Sequence, residues 1–442
     1  MKDLNEYVTK CQTILQNTGP GNDLLVYYPV FDLWQKKGGS GNVIMQDVHD
    51  PDQWLYSIGF GETAKMLWEN GYAFDYISDK QLEDVNKGIT DISDTYQFLL
   101  VPPVTVMPHT TLSNILSLAG KNLKVIFIRD LPENVPGSYH HSIRLDSLKQ
   151  LFLRAGLDQV KTIDPDELTL TLDELGAHRL EFNQEGIHYI RKRHPEGSVY
   201  FISNLGRQPY HATLSIPGAF SAAEIFDPLT ERRGVIKMRN TQHGKSVPLR
   251  LLPGKSLFLF TYDHPVKGNR WVEFQPAGNG QPLDSGWEII FSDTLSVNTG
   301  HLASWTTLDY PWATYYSGEA VYRCRFTIDH DPVGQDNYLL DLGEVREMAE
   351  ISINGKQAGK TWCLPHQLVI PGGMLSRTNE LTVTVRNLDA NRIILMDREG
   401  IPWKNFYDIN FVDITYEPFD ASGWQPLPSG LPGPVKIFRL DP

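Results

Sequence analysis

The chain contains 442 residues, and its 40 Lys and Arg side chains against 53 Asp and Glu side chains give a formal net charge of −13. An acidic chain without a basic run is a poor ligand for nucleic acid or for anionic membranes, so we expect neither as a partner. A hydrophobic content of 41% and an aromatic content of 11% exclude a largely disordered chain. The length predicts about three domains.

The sequence has no targeting or membrane signal that we recognise. No stretch approaches the ~18 consecutive apolar residues of a membrane-spanning helix. The first residues lack the apolar centre of a secretory signal peptide. Two explanations stay open: the protein remains inside the cell, or the natural chain starts earlier than this sequence does. The residues alone leave the localisation unknown.

The cysteines are too few for a disulfide framework and lack the close pairing of a zinc site. They are Cys11, Cys324 and Cys363. We expect three free thiols, packed as small apolar side chains. A bridge between Cys324 and Cys363 is the open alternative.

The first third of the chain alternates helix and strand patterns. Apolar spacing predicts helices over 3–17, 54–70, 110–118 and 146–155, and short apolar runs predict strands over 24–28, 74–77, 97–101 and 123–128. Strands separated by single helices favour right-handed crossovers and a parallel sheet covered on both faces. The sequence to about residue 175 therefore predicts a flavodoxin-like α/β domain.

The rest of the chain has the short alternating runs of antiparallel β structure. In the middle third they occupy 186–192, 198–204, 211–216, 222–226 and 256–262, which predicts a small β-sandwich. After a candidate linker at 264–270, strands are predicted over 287–291, 320–328, 338–341, 349–353 and 380–386. Asn354-Gly355 between two such runs predicts a two-residue hairpin.

The last third also carries an ordered set of turn residues. It contains Gly343-Glu344, Asn354-Gly355, Asn379-Glu380 and Pro432-Gly433-Pro434 at wide but orderly spacing. This order resembles the sugar-binding-type, galactose-binding-like jelly roll of family 2 glycoside hydrolases. The resemblance implies a jelly-roll fold in which these residues hold turns and core. It implies a scaffold more directly than a sugar site.

A second resemblance covers nearly the whole chain. Residues 11–16, followed by residues 23–29, resemble the segment that leaves the catalytic barrel in glycoside hydrolase family 106, the α-L-rhamnosidases. The resemblance implies residues 1–22 as a helix remaining from a missing barrel, 23–176 as the α/β domain, 177–265 as the β-sandwich and 266–442 as the jelly roll. The catalytic carboxylates of that family lie on a preceding (β/α)8 barrel of about 250 residues. No position here corresponds to them, so we assign no catalytic residue.

The α/β domain also resembles the class I glutamine-amidotransferase-like fold. Active members of that group place a nucleophilic cysteine on the turn after a central strand. Here the turn is Pro102-Pro103-Val104-Thr105-Val106, which contains neither cysteine nor serine. Cys11 lies on the first predicted helix, so we expect no Cys–His–Glu triad.

Aromatic and planar polar side chains near strand ends and in loops are our candidates for carbohydrate contact, because sugars stack on rings and bind polar groups. At the carboxyl edge of the first strand they are Tyr28, Asp32 and Trp34, and in the last third they are Trp362, His366, Trp403 and Trp424. The open alternative is that Tyr28 and Trp34 pack a domain interface and that the others pack beneath long loops.

The residues predict no cofactor and no metal ligand set. The acidic tail matches no calcium loop, although the family resemblance leaves Ca²⁺ possible. We expect an accessory, non-catalytic region of an α-L-rhamnosidase-like enzyme that binds carbohydrate or acts as a scaffold. The alternatives are an active glycoside hydrolase within a split enzyme and a stand-alone carbohydrate-binding protein. By resemblance, the partners would be a plant-type or bacterial saccharide containing rhamnose and a separate barrel subunit, and a truncated N-terminus would imply a periplasmic or extracellular location.

Overall fold

The computed structural model describes residues 2–35, 51–154, 160–182, 184–242, 244–284, 286–291, 295–328, 332, 336–407, 411–413 and 417–441. The chain divides into two compact units. Unit 1 comprises Met1–Leu252 and Ser256–Trp271, and unit 2 comprises Pro253–Lys255 and Val272–Pro442. Within the described ranges, no helix has the length and apolar character needed to cross a lipid bilayer.

Helices and strands alternate through the first part of unit 1. They are α1 (Lys2–Gln16), β1 (Gly19–Pro20), β2 (Leu24–Tyr27), α2 (Val30–Gln35), α3 (Pro51–Trp54), α4 (Phe60–Glu69), β3 (Phe74–Ile77), α5 (Asp79–Asn86), β4 (Phe98–Val101), α6 (His109–Ala119), β5 (Lys124–Ile128), α7 (His141–Arg154), β6 (Val160–Ile163) and α8 (Leu168–Glu174). Five strands form a parallel sheet in the order β3-β2-β4-β5-β6. The strand order reverses beside β2, which therefore lies inside the sheet.

Both faces of this parallel sheet are buried. Leu25 and Leu99 contribute to the apolar core on one face, and their neighbours Leu24 and Phe98 contribute to the core on the other. Successive strand residues point to opposite faces, so a strand covered on both sides needs an unbroken apolar run. The runs that predicted these strands are a direct consequence of that burial.

The single helix predicted over 54–70 is wrong, because the chain breaks it before Phe60. A 3-10 turn spans Tyr56–Ile58, and Gly59 follows with a φ of 73°. A Cβ atom at Gly59 would lie 3.0 Å from the Pro103 ring. The break thus accommodates a close tertiary approach of the turn after β4, which the helical periodicity does not reveal.

The second part of unit 1 is an antiparallel sandwich, as predicted. Its strands are β7 (Ile187–His194), β8 (Gly197–Asn204), β9 (Tyr210–Pro217), β10 (Ala222–Phe226), β11 (Arg233–Val235), β12 (Arg239–Asn240), β13 (Gly244–Leu251) and β14 (Ser256–Tyr262). They form the sheets β1-β7-β8-β14-β10-β11 and β12-β13-β9, whose apolar side chains share one core. Helix α1 packs through Cys11 against Val199 and Phe258 of the larger sheet.

Strand β13 is not among the predicted strands, because Pro248 interrupts its pattern. Proline lacks the backbone donor that a central strand needs. In the structure, β12 pairs only with Lys245 and Ser246 of β13. Within the described part of the sheet, β13 has no partner on the β12 side beyond Ser246. Pro248 therefore lies at a sheet edge, where proline is tolerated.

A buried polar cluster joins the two parts of unit 1. The Asp23 carboxylate accepts a hydrogen bond of 2.8 Å from the His178 backbone N–H and lies 3.8 Å from the Arg191 guanidinium. The His178 ring faces the hydroxyl of Tyr200 at 3.4 Å. Burial, followed by the positive charge of Arg191, lowers the pKa of His178 to about 3. His178 is therefore neutral in the folded protein at neutral pH.

Unit 2 is almost entirely antiparallel β structure. Its elements are β15 (Gln275–Pro276), β16 (Gln281–Pro282), β17 (Trp287–Phe291), β18 (Leu295–Thr299), β19 (Glu319–Thr327), β20 (Asn337–Asp341), β21 (Glu344–Arg346), β22 (Met348–Ile353), β23 (Lys356–Thr361), β24 (Gln367–Pro371), β25 (Thr378–Arg386), α9 (Ala390–Glu399), β26 (Gly430–Gly433) and β27 (Lys436–Asp441). One sheet has the order β18-β17-β19-β25-β22-β23, and a second has the order β15-β27-β20-β24, with β16 also paired to β27. Their apolar side chains form one shared core, as in a sandwich.

The predicted hairpin at Asn354-Gly355 is confirmed between β22 and β23. Asn354 and Gly355 have φ values of 52° and 73°, as a tight hairpin turn requires. The Asn354 amide accepts a hydrogen bond from the Glu380 backbone N–H and donates one to the Asn379 side chain, both at 2.9 Å. These motif residues hold a turn against the neighbouring strand.

We predict that Gly71→Ala destabilises unit 1 far more than Gly88→Ala. Both glycines have left-handed φ values, 76° and 73°, where any other L-residue is strained. A Cβ atom at Gly71 would lie 2.0 Å from the Leu180 carbonyl oxygen, whereas nothing lies within 4 Å of one at Gly88. Gly88→Ala should cost about 1–2 kcal/mol, and Gly71→Ala at least about 2 kcal/mol more. Urea unfolding measures the difference, and equal losses would contradict this packing.

We predict that His178→Gln reduces the loss of stability in mild acid. The unfolded chain binds the His178 proton near pH 6.5, whereas the folded protein, with a pKa of about 3, does not. The stability contributed by the neutral ring is complete above pH 6.5 and declines as the pH falls below it. The parent should lose about 1 kcal/mol per pH unit relative to the variant between pH 6 and about 4.5. Parallel curves of unfolding free energy against pH would refute this assignment.

Candidate functional site

Two crevices lie at the carboxyl edge of the parallel sheet. The first has a volume of about 500 Å³, and its charged lining side chains are Asp32, Glu62, Arg129, Asp130 and Glu133. They come from α2, α4 and the connection after β5. Open α/β sheets bind ligands at this edge, beside the point where the strand order reverses. We refer to this pocket as the acidic crevice.

Asp32 fixes one wall of the acidic crevice. Its carboxylate accepts hydrogen bonds from the backbone N–H groups of Thr105 at 2.8 Å and Val106 at 3.1 Å. The Thr105 carbonyl oxygen in turn accepts backbone N–H bonds from Glu133 at 3.0 Å and Asn134 at 3.1 Å. The turn after β4 is therefore clamped from both sides. Asp32 is a half-buried positioning group whose oxygens already have backbone partners.

Arg129 supplies the cationic side chain of the acidic crevice. It follows β5 directly and has a φ of 76°, which is uncommon for a residue other than glycine. Its backbone N–H donates a 2.7 Å hydrogen bond to the Ile163 carbonyl oxygen. Such backbone conformations cost roughly 1–3 kcal/mol and cluster at functional sites. The crevice thus combines four carboxylates with one guanidinium held on an unusual turn.

The second crevice is apolar and contains the predicted residue Tyr28. Its volume is also about 500 Å³, and its lining includes Trp54, Leu55, Phe60 and Tyr76. The rings of Tyr28 and Phe60 meet edge to face at 5.2 Å, and Phe60 lies 5.2 Å from Tyr76. Tyr28 is therefore one side of an aromatic wall and is half-buried in it. Such a wall suits the apolar face of a ring-shaped ligand.

A buried hydrogen-bond network lies next to these crevices. The hydroxyl of Tyr27 donates to the Asp79 carboxylate at 3.0 Å, and the Thr111 hydroxyl donates to the same oxygen. Burial and then the Asp79 charge raise the pKa of Tyr27 well above its ordinary value. Tyr27 is fully buried and stays protonated. The network ties β2 to the starts of α5 and α6 and so fixes the sheet edge.

Trp34 lies on the same connection as Asp32 but points outward. Its side chain is 57% exposed, and its ring meets Phe31 edge to face at 5.4 Å. It is absent from the linings of both crevices. The structure therefore brings Tyr28 and Asp32 to one sheet edge, in separate crevices, and leaves Trp34 on the surface.

In unit 2, His366 is a core residue. It is buried, and its Nδ1 atom lies 3.1 Å from the Thr361 hydroxyl. Burial, followed by the Arg346 charge, lowers the pKa of His366. The adjacent loop residue Trp362 is half-buried. This arrangement favours a packing role for His366 over a role in carbohydrate contact.

Trp403 and Trp424 come together in an aromatic cluster beneath the loop after α9. Both rings pack against Phe419, at 6.0 Å and 5.6 Å. The Trp403 indole N–H donates to the Asp397 carboxylate at 2.6 Å, and the same carboxylate accepts the Ala421 N–H at 2.8 Å. Trp403 is thus held for packing, whereas Trp424 keeps 47% of its side chain exposed.

Glu62, Arg129, Asp130 and Glu133 are not among the residues predicted from the sequence. The predicted carbohydrate contacts of this domain all come from the end of the first strand, although the ends of parallel strands share one sheet edge. Reading the residues after every predicted strand would have included Arg129 and Asp130. All three cysteines are free thiols. Among the described residues, no group of three or more His, Cys, Asp or Glu side chains is arranged to hold a metal ion.

The comparisons found similarity to proteins that carry glycosidase names. No family model matches the chain. It is 32% identical over 179 residues to a Formosa agariphila protein named "Putative beta-glucuronidase", a match that covers 36% of this chain and 15% of that protein. Its fold is similar to that of a rhamnosidase from Novosphingobium sp. PP1Y, with a TM-score of 0.69 and 19% identity. That likeness covers 99% of this chain and 41% of the rhamnosidase chain, so this chain spans less than half of its structural relative.

We predict that Asp32→Ala loosens the turn after β4, whereas Asp130→Ala does not. The first change leaves the N–H groups of Thr105 and Val106 without their acceptor, which should cost about 1–3 kcal/mol. Asp130 lines the same crevice and is the matched control. Amide hydrogen exchange at Thr105 and Val106 should accelerate at least about tenfold in Asp32→Ala only. Unchanged exchange there would show that Asp32 does not hold the turn.

Proposed function

We propose that this chain is the accessory region of a glycoside hydrolase of the family 106 α-L-rhamnosidase type. In this proposal it contacts carbohydrate and supports a catalytic barrel carried outside residues 1–442. The order of parts supports it: a 2-1-3-4-5 parallel sheet typical of flavodoxin-like domains, a small sandwich, and a second sandwich that we assign as a galactose-binding-like jelly roll. The corresponding domains are 23–176, 177–265 and 266–442, with residues 1–22 as the helix that would follow the barrel.

The observation that carries the non-catalytic role is the use of Asp32. Glycoside hydrolysis generally requires two carboxyl groups that face each other across the scissile bond. In the acidic crevice, Asp32 is bound to the backbone of Thr105 and Val106. It serves the structure of the crevice, and its oxygens are committed to amide donors. Asp32 is therefore not available as one member of a reacting pair, and the crevice offers hydrogen-bonding groups for sugar hydroxyls.

The acidic crevice also favours a second candidate, an active hydrolase. Glu62, Asp130 and Glu133 line it together with Arg129. A pair of these carboxylates is the place where acid–base chemistry would reside if this chain hydrolysed glycosides as part of a split enzyme. A third candidate, a stand-alone carbohydrate-binding protein, is favoured by the exposed faces of Trp34 and Trp424.

Under this proposal, the purified chain releases no nitrophenol from 4-nitrophenyl α-L-rhamnopyranoside above the buffer rate. The reason is that the reacting carboxylates would lie on another polypeptide or segment. Glu62→Gln and Glu133→Gln serve as controls, and both should match the parent. Release by the parent that disappears in either variant would overturn the accessory role and establish the hydrolase.

A further inference from the structure

A groove outside both crevices lies within unit 1, between the end of α4 and the start of β7. Its volume is about 630 Å³, which falls within the roughly 300–1,000 Å³ range of small-molecule sites. Trp68, in the last turn of α4, lines it and is 48% exposed. The indole packs against the His188 ring at 4.8 Å with an interplanar angle of 32°. One face of Trp68 is therefore supported by protein, and its exposed part borders the groove.

Fixed polar groups surround this aromatic platform. The Arg179 guanidinium bonds to the Asp173 carboxylate at 2.8 Å, pairs with Glu181 and lies over the Tyr72 ring at 5.4 Å. Glu69 and Glu185 also line the groove. A guanidinium held by two carboxylates loses little conformational freedom when a ligand binds.

The backbone of the groove is preformed by close contacts. The Gly71 carbonyl oxygen accepts the Leu180 N–H at 3.0 Å and the buried Tyr189 hydroxyl at 2.8 Å. Gly71 also permits an approach that a Cβ atom would block. These contacts join the end of α4 to β7. The groove therefore does not need to close or order a segment to accept a ligand.

We propose that this groove binds a neutral pyranoside, with the apolar face of the sugar on Trp68 and its hydroxyl groups on the Arg179, Glu181 and Glu185 side chains. The proposal rests on the carbohydrate-related function proposed above and adds a site and a ligand class to it. A half-exposed indole bordered by planar polar groups matches the two kinds of surface that a sugar ring presents.

The charge of the groove determines which sugars it accepts. Glu69, Glu181 and Glu185 contribute three carboxylates. Arg179, the cation among the described lining residues, is shared between Asp173 and Glu181, and Lys65, outside the lining, lies 3.8 Å from Glu69. The carboxylates still outnumber the cations. The excess negative charge repels a uronate carboxylate, and such repulsion is a common basis of discrimination. The groove should therefore prefer a neutral hexoside or 6-deoxyhexoside over a glucuronide.

The test is titration calorimetry of the full chain with methyl α-L-rhamnopyranoside and with methyl β-D-glucuronide. Trp68→Ala should weaken binding of the rhamnoside at least about tenfold, and Trp68→Phe should keep it within about threefold, because the platform remains. Tyr139→Ala is the matched control: Tyr139 is 79% exposed and also packs on a histidine ring, at 4.1 Å from His140, but lies outside the groove. It should bind like the parent.

A double variant tests the charge of the groove even if Trp68→Ala unfolds. Glu69→Gln combined with Glu185→Gln should raise glucuronide affinity at least about threefold relative to rhamnoside affinity. Equal rhamnoside binding by the parent and a folded Trp68→Ala, absent binding by the parent, or an unchanged glucuronide ratio would each overturn the proposed site. None of these results involves nitrophenol release, so this proposal and the accessory role fail by different measurements.

Discussion

The organisation of unit 1 depends on the buried carboxylate of Asp23. Its side chain holds the His178 backbone and faces Arg191, and its backbone carbonyl oxygen accepts N–H bonds from Gln97 and Phe98. One residue thus links the first strand of the parallel sheet, the start of β4 and the sandwich. Burial raises the pKa of Asp23, so the carboxylate depends on these donors. Removing it would leave the Arg191 charge buried without its counterpart, which is usually more damaging than losing a surface pair.

The sequence is sufficient to predict the elements whose burial is complete. Strands β2, β4 and β5 are covered on both faces, so their apolar runs are unmistakable, and the hairpin at Asn354-Gly355 follows from local backbone preference. The break before Phe60 and the edge strand around Pro248 were not predictable in this way. The first depends on the Pro103 ring, which is distant in sequence, and the second depends on how short β12 is, since it pairs with only two residues of β13.

The candidate site residues also divide into those that the sequence predicts and those that it does not. Tyr28 and Asp32 were predictable because the ends of parallel strands share one edge, although the structure places them in separate crevices. Counting aromatic residues in loops did not distinguish Trp403, held by Asp397 within a cluster, from the more exposed Trp424. The sequence did not indicate Trp68 as a binding residue, because its spacing within the helix is that of a packing residue. Only the approach of His188 from another strand makes it a platform.

The proposed function requires that this chain holds a glycoside without cleaving it. Saturation-transfer NMR on methyl α-L-rhamnopyranoside with the purified chain, followed by repeated spectra of the anomeric proton over days, tests binding and turnover in one sample. We expect transfer of saturation to the ring protons of the sugar and an anomeric signal that stays that of the intact glycoside. A growing signal of free rhamnose at a rate proportional to protein concentration, or no transfer at all, would contradict it.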